Sequence, residues 1–579
     1  MTARVFPLLA SAFLAIVLLS LACGAPRDRA DLVVLGAKVA TVDDAFSIAE
    51  AVAVRGDRIA AVGTEDEIRR WVGDETRVID AKGALVIPGF IDGHAHFLSL
   101  GRFRTRLDLT GARNWEEIVQ VVERAAAEAE PGEWILGRGW HQEKWDRPPS
   151  PSMGGMPVHD ALSRVSPENP VRLRHASGHV TMANERAMRR AAIGPFTPHP
   201  PGGEIVRDGE GRPTGLLREN ADDLVLDVWK RDRERLSTEE KEEESLRIIG
   251  LAERECLAHG VTSFQDAGST FEEIDRFRRL AEEGRLRVRL WVMIGEENDS
   301  LLARLGEYRI RDAGGNRLTV RAIKRYMDGA LGAHTAWMLA PYDDAPETTG
   351  MPVTNTETLR ETARIARDAG FQLCVHSIGD RANRTVLDVY EEVLGPGAVG
   401  GDHRWRIEHA QHLHPSDIPR FAALGVIASM QGIHCVSDGP WVTARIGEQR
   451  AREGAYAWRS LLDAGAVLSN GTDAPVEGID PIAGFLALTT RRLPDGTVFH
   501  GEQRLTREEA LRAYTIDAAR AAFEEGIKGS IEPGKLADLT VLSEDILVAP
   551  EERIRNARVL WTILGGKVEY AADGTPSRS

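Results

Sequence analysis

Eight short apolar runs, alternating with segments that read as helices, constrain this chain more than any other feature. They occupy residues 85–91, 261–265, 287–293, 318–326, 371–376, 404–409, 425–430 and 466–470. Stretches such as TEEKEEESLRIIGLAERECLAHG and ETLRETARIARDAG stand between many of them. Strands alternating with helices are the signature of parallel βα units. Eight such units imply an α/β fold, a (β/α)8 TIM-like barrel, with its active site at the C-terminal ends of the strands. Pro88 is awkward inside the first run, because it brings no N–H to a ladder. A bulge, or a short strand beginning at Gly89, accommodates it.

The two ends read differently. Residues 31–87 alternate short apolar runs with Gly and Asp, and the style returns over 530–570 in ADLTVLSEDI and RVLWTILGGKVEY. This is strand-and-turn chemistry, and it predicts a small β-sandwich domain built from both termini. The barrel then spans 88–529. Too many residues separate His96 from Val261 for one crossover. GEWILGRGW, PVRLRHASGH and GGEIVRDGEGRPTGLL predict short strands in a subdomain inserted after strand 1, at about 130–218, near the barrel mouth.

The first 23 residues are a targeting segment. One basic residue, Arg4, precedes an apolar run from Val5 to Ala22, the layout of a signal peptide. Ser20-Leu21-Ala22-Cys23 resembles a lipobox, which predicts a lipid-anchored, extracytoplasmic protein modified at Cys23. An uncleaved membrane-spanning anchor is the alternative. The four cysteines are widely spaced and form no CxxC pattern. A net charge of -16 argues against non-specific binding to nucleic acid or to anionic lipid.

The chemistry-bearing residues fall at strand ends. His94 and His96 follow the first run, and residues i and i+2 of a strand share a face, about 7 Å apart along the backbone. Lys324 lies in the fourth run, His376 and His409 end the fifth and sixth, and Asp473 follows the eighth. Taken singly, each has a bland explanation. A strand histidine is usually a satisfied core residue, and Asp473 in a Gly-Thr-Asp-Ala-Pro turn could cap a helix. Together, on one face of one barrel, they suit zinc or a similar divalent ion.

The stretches VIPGFIDGHAHF, VRAIKRYMDGALGAHTAWMLAPY, LCVHSIGDRAN, RIEHAQHL, SMQGIHCVSDGPW, LSNGTDAPVEGIDP and GSIEPGKLADLTVL resemble the metal-dependent amidohydrolase superfamily. Within it they are closest to the amidohydrolase-3 group, which includes YtcJ-like proteins and N-substituted formamide deformylase. The resemblance covers nearly everything after residue 31. It implies that His94, His96 and Asp473 bind one metal, that His376 and His409 bind a second, and that Lys324 is carboxylated and bridges both. It also implies that a metal-activated water attacks and that Asp473 carries the proton. The superfamily includes one-metal sites, so one or two ions, zinc first, are implied. His179 and His434 lie in matching stretches as candidates for substrate binding, ahead of His334, Asp328 and Asp438. His412 and His414 are expected not to touch the metal, and Gly379-Asp380 is expected to shape the loop after His376.

The resulting expectation is a hydrolase acting on a small-molecule substrate, cleaving a non-peptide C–N bond in a linear amide or an N-acyl or N-formyl amine. An ester, cyclic amide or imine-like bond at the same centre is the first alternative. A catalytically silent, ligand-binding surface lipoprotein is the second, and homo-oligomerisation stays open.

Overall fold

The computed structural model describes residues 29–573, apart from 143–144, 154, 176–179, 202, 333 and 396–400. The segment read above as a targeting signal, with Cys23, and His179 lie outside the described residues. Among the described residues, no helix is long and apolar enough to cross a membrane. The chain forms two compact units. One comprises residues up to 96 together with those from 255 on, and the other comprises 97–254.

The first unit holds the barrel. Its strands are β1 (Phe90–Ala95), β2 (Val261–Ser269), β3 (Arg289–Ile294), β4 (Leu318–Tyr326), β5 (Gln372–Ser377), β6 (Arg406–His409), β7 (Ile427–Met430) and β8 (Leu468–Asn470). They are hydrogen-bonded in sequential order and all parallel. Both faces of such strands are covered, so they read as continuous apolar runs; RLWVMI of β3 is buried along its whole length. Helices Phe271–Glu282, Thr356–Ala369 and Asp380–Leu394 are among those between the strands, and the first opens on a Thr270–Glu273 capping box.

The first strand differs from the expected 85–91. Leu85–Pro88 pairs with Lys38–Ala40 and Leu539–Leu542 in a different, six-stranded sheet. The barrel strand starts two residues later, at Phe90. Pro88 therefore ends one strand, and Gly89 carries the chain across. A β-carbon at Gly89 would stand 2.3 Å from the Thr262 side chain, so no larger residue fits there. A continuous apolar run cannot reveal this handover, because both sheets bury it.

That six-stranded sheet takes its other strands from Ile48–Ala49, Val559–Leu564 and Lys567–Ala571. It faces a four-stranded sheet of Leu32–Leu35, Ala51–Arg55, Arg58–Gly63 and Arg77–Asp80. Leu32, Val34 and Val54 from the smaller sheet share one core with Val86, Val541 and Trp561 from the larger. This is a sandwich made from both ends of the chain.

The second unit is built on a six-stranded mixed sheet in the order Gly203–Arg207, Pro213–Glu219, Val180–Ala183, Val171–His175, Ile135–Trp140, Leu107–Asp108. Its extent, 97–254, is wider than 130–218 because helices join its core. Trp115, Ile118 and Val122 of helix Trp115–Glu128 pack with Ile135 and Leu173. Val225 of helix Asp223–Glu234 packs with Ala187 and Leu217.

Candidate metal centre

The centre lies where the barrel closes. A β-carbon on Gly93 of β1 would sit 2.5 Å from Ser469 Oγ and 2.6 Å from the Asn470 carbonyl of β8, and one on Gly471 would sit 2.3 Å from the His94 amide. Only glycines permit this approach. The loop after β8 is then bonded to β1: Asp473 N–H donates to the His94 carbonyl at 2.8 Å, and His96 N–H donates to the Ala474 carbonyl at 2.8 Å. Asp92 completes the anchor by accepting from Thr472 N–H (2.9 Å) and Thr472 Oγ1–H (2.5 Å). Burial pushes the Asp92 carboxyl up to about 7, against the pull of those Thr472 hydrogen bonds.

The expected strand-end residues converge at this seam. His94 and His96 stand with ring centroids 5.7 Å apart and planes at 88°. His94 Nε2 lies 3.7 Å, and His96 Nε2 3.2 Å, from Asp473 Oδ1. The His409 ring is 4.9 Å from His94 and 4.5 Å from His376. Lys324 is 2% exposed, with Nζ 3.4 Å from His94 Nε2. His434, on the helix that follows β7, stacks on His409 at 5.9 Å and brings Nε2 to 3.6 Å from Asp473 Oδ2. Two overlapping groups have donor atoms close enough to share an ion: His94, His96 and Asp473, and His409, His434 and Asp473.

Hydrogen bonds decide which nitrogen each ring presents. His94 Nδ1 faces Glu408 Oε2. Burial works to raise Glu408, but Arg406 and His94 hold it well below the usual carboxylate range, so it accepts and Nδ1 donates. Nε2 is left as the free lone pair. His409 Nδ1–H likewise donates to Gln431 Oε1 at 2.6 Å, and His376 Nε2–H donates to the Gly329 carbonyl at 3.3 Å. Fixing one ring nitrogen on a carbonyl or carboxylate is the usual support for a metal-binding histidine.

Electrostatics agree with that assignment. Burial, then the Lys324 ammonium, lowers His94 to about 4 and His376 to about 3. Burial, then the His376 and His94 rings, pushes His409 well below its ordinary value. Neutral imidazole is the ligand form. Burial also lowers Lys324, partly offset by Glu408 and Asp473. Burial favours the protonated Asp473 carboxyl, but the imidazoles of His96, His94, His409 and His434 outweigh it and keep the group ionised. Asp473 Oδ1 and His434 Nε2 are buried without a hydrogen-bond partner. A buried carboxylate oxygen left without a hydrogen-bond partner among imidazoles, Asp473 Oδ1, fits a bound cation.

Asp473 caps no helix. The next helix, Pro481–Thr490, is capped by Asp480, which accepts from Ile482 N–H and Ala483 N–H. Asp473 instead holds φ at +58°, and His409 and Ala410 also have positive φ, an unusual backbone state for such residues.

The remaining candidates lie outside the two metal-competent groups, though Asp328 borders the cluster, its Oδ1 3.8 Å from His376 Nε2. Asp328 accepts from the backbone N–H groups of Trp337, Ile378 and Gly379, tying down the loop after β5. Asp438 accepts from Gln411 and Tyr456. His334 faces Asp344, and His414 faces Ser416. His412 is buried away from the metal-competent groups. Asp380 accepts from Leu339 N–H.

Glu408 and Gln431 lie within RIEHAQHL and SMQGIHCVSDGPW but were given no role in the sequence analysis. Arg406 and Glu408 of RIEH, two residues apart on a strand, share a face and are both fully buried. A buried Arg–Glu pair two residues apart on a barrel strand is the signal that could have found Glu408.

Residues 77–570 match the amidohydrolase family. The chain is 33% identical to the protein LONG AFTER FAR-RED 3 of Arabidopsis thaliana, over 93% of this chain and 92% of that one. It is 30% identical to the N-substituted formamide deformylase of Arthrobacter pascens, over 94% and 99%. An uncharacterised metal-dependent hydrolase from Pyrococcus horikoshii OT3 superposes with a TM-score of 0.70 at 27% identity, covering 90% of this chain and 99% of that one.

Proposed function

This chain belongs to the amidohydrolase family, and from that premise we propose that it cleaves a linear C–N bond in an N-formyl or N-acyl amine. The observation that carries the reading is the convergence of His94, His96, His409, His434, Lys324 and the unpartnered, ionised Asp473 at the barrel seam. The family and its hydrolase relatives make the protein a metal-dependent hydrolase. The linear amide is favoured by the deformylase relative, matched over nearly its whole length.

His94, His96 and Asp473 would hold a divalent ion, with His376, His409 and a carboxylated Lys324 available for a second. Such an ion acidifies water and polarises the scissile carbonyl. Asp473, through the oxygen that does not hold the ion, accepts the proton of the attacking water and returns it to the departing amine nitrogen. His434 Nε2–H, buried beside Asp473, donates to the oxygen that gains charge. Glu408, through His94 Nδ1, holds the ring that presents Nε2.

The test is metal analysis of the purified protein alongside a panel of N-formyl amines, N-acyl amines, esters and cyclic amides. Turnover of a linear amide that tracks metal content supports the proposal. Turnover confined to esters or cyclic amides would move it to the alternative bond. Bound metal with no turnover of any class would favour the ligand-binding lipoprotein. The lipid anchor is a separate proposal resting on SLAC at residues 20–23; labelled fatty acid absent from the wild-type protein would remove it.

A further inference from the structure

Tyr326 is the last residue of β4 and shares a face of that strand with Lys324, two positions earlier. Lys324 Nζ lies 4.9 Å from the centre of the Tyr326 ring, and the His376 ring lies 5.4 Å from it. From there a row of rings crosses the barrel mouth. His376 stands 4.5 Å from His409, His409 4.9 Å from His94, and His94 5.7 Å from His96. Every ring beyond Tyr326 in this row is an imidazole of the metal centre. Tyr326 ends the row as a phenol, and it is 42% exposed.

Two features fix where the tyrosine stands. The barrel strands pair in sequential order, so β4 lies across the ring from the seam where β8 meets β1. Beside the hydroxyl, the wall is glycine. A β-carbon on Gly268, near the end of β2, would come 4.0 Å from Tyr326 Oη and 3.7 Å from Lys324 Cγ, and the φ of Gly268 is +122°, a state that favours glycine. No side chain from β2 crowds the hydroxyl at that point.

The hydrolase reading sets the direction of the substrate. Asp473, at the seam, returns a proton to the departing amine nitrogen. The nitrogen therefore lies at the seam, and the acyl half of the amide runs from the metal toward β4. A formyl group has only a hydrogen to place there, whereas a longer acyl chain reaches the tyrosine. A phenol is protonated at neutral pH and can donate to an acceptor oxygen.

We propose that Tyr326 is a specificity-determining residue that touches the acyl half of the substrate, its Oη–H donating to an oxygen carried along the acyl chain. The preferred substrate is then an N-acyl amine whose chain holds such an oxygen, ahead of the N-formyl amine. This rests on the linear-amide reading and narrows it.

The experiment compares the N-formyl, N-pentanoyl and N-levulinoyl amides of one amine on the full-length, metal-loaded protein. The last two have acyl chains of equal length and differ by one ketone oxygen. The wild type should favour the levulinoyl over the pentanoyl amide about three- to tenfold in kcat/KM, the worth of one neutral hydrogen bond, and both over the formyl amide. Tyr326→Phe should bring the levulinoyl-to-pentanoyl ratio to about one, through KM rather than kcat, with the metal content unchanged by elemental analysis. A wild type that prefers the formyl amide to both others would overturn the proposal and leave the hydrolase reading standing. So would an unchanged ratio in Tyr326→Phe, or an equal loss on every amide with metal lost as well, which would make Tyr326 a support for His376. Turnover of no linear amide would overturn the linear-amide reading itself and this proposal with it.

Discussion

Glu408→Gln tests how the barrel interior serves the metal centre. Glu408 Oε1 accepts from Arg406 Nε at 2.7 Å, and Oε2 accepts from Arg406 Nη2 at 3.0 Å and from His94 Nδ1. Both side chains of the pair are fully buried. Glutamine keeps the shape and removes the charge. Breaking a buried pair costs about 3–5 kcal/mol. Arg406 retains the Gly93 carbonyl at 2.6 Å, Ser429 Oγ at 2.7 Å and Gln265 Oε1, so the loss belongs at the lower end, about 3 kcal/mol. The tautomer effect is separate. With the amide oxygen turned to Arg406, the amide N–H₂ faces His94 Nδ1, which must accept. The proton then sits on Nε2, where a metal needs the lone pair. Loss of such a support weakens metal affinity by about 10–100-fold. Chelator competition measures the metal affinity, and urea unfolding measures the stability. Ser429→Ala is the control: it removes one Arg406 partner, costs about 1 kcal/mol, and should leave metal affinity unchanged. A Glu408→Gln variant that binds metal as tightly as wild type would refute the orienting role, whatever its stability.

His96→Ala should abolish bound metal in its group and nearly all turnover, read by elemental analysis and the amide assay. Lys324→Ala should lose activity that short carboxylic acids partly restore, if a carbamate supplies the missing oxygens; a plain ammonium in the metal-loaded crystal would exclude the bridge. Asp473→Asn should fold with an unchanged melting temperature in metal-free protein, since Asn tolerates positive φ, and in metal-loaded protein lose about two to four orders of magnitude in turnover; unchanged turnover would leave the reaction without its proton carrier. Asp538 accepts from Arg289 at 2.6 and 2.9 Å. Burial opposes its ionisation, but Arg289 lowers its pKa below the ordinary value. Its contribution is therefore present above the unfolded aspartate value of about 3.9 and is lost as pH falls through the lower folded value. Asp538→Asn should cost about 3–5 kcal/mol at neutral pH and flatten the acid limb of the urea-unfolding profile; an unchanged acid limb would refute the linkage.

The barrel was legible because its strands are buried on both faces, and apolar continuity is what such burial demands of a sequence. The same property hid that ALVIPGFI serves two sheets in succession, although Pro88 marked where a strand could begin at Gly89. Helix Trp115–Glu128 was illegible as part of the second unit for a related reason. An amphipathic stretch reports that it covers an apolar surface, but not which one. His94, His96, Lys324, His376, His409 and Asp473 could be read from their places at strand ends. The roles of Glu408 and Gln431 could not, since their importance is which ring nitrogen they occupy. That is a contact between distant residues: 314 positions separate Glu408 from His94.

Closure of the ring and assembly of the site are one event. His94 lies in β1 and His96 just after it, Asp473 follows β8, and His96 and Asp473 stand 377 positions apart in the chain. They meet only because Gly93 and Gly471 let the first and last strands approach without side chains between them. The hydrogen bonds that hold the seam, from Asp473 N–H to the His94 carbonyl and from His96 N–H to the Ala474 carbonyl, run through the backbone of the candidate ligands themselves. Asp92 adds the side-chain half of the latch by binding Thr472. A cation held by His94, His96 and Asp473 would therefore bridge the two edges of the sheet. Its binding free energy would add to the stability of the closed barrel, which is a physical reason for the ligands to sit at this seam.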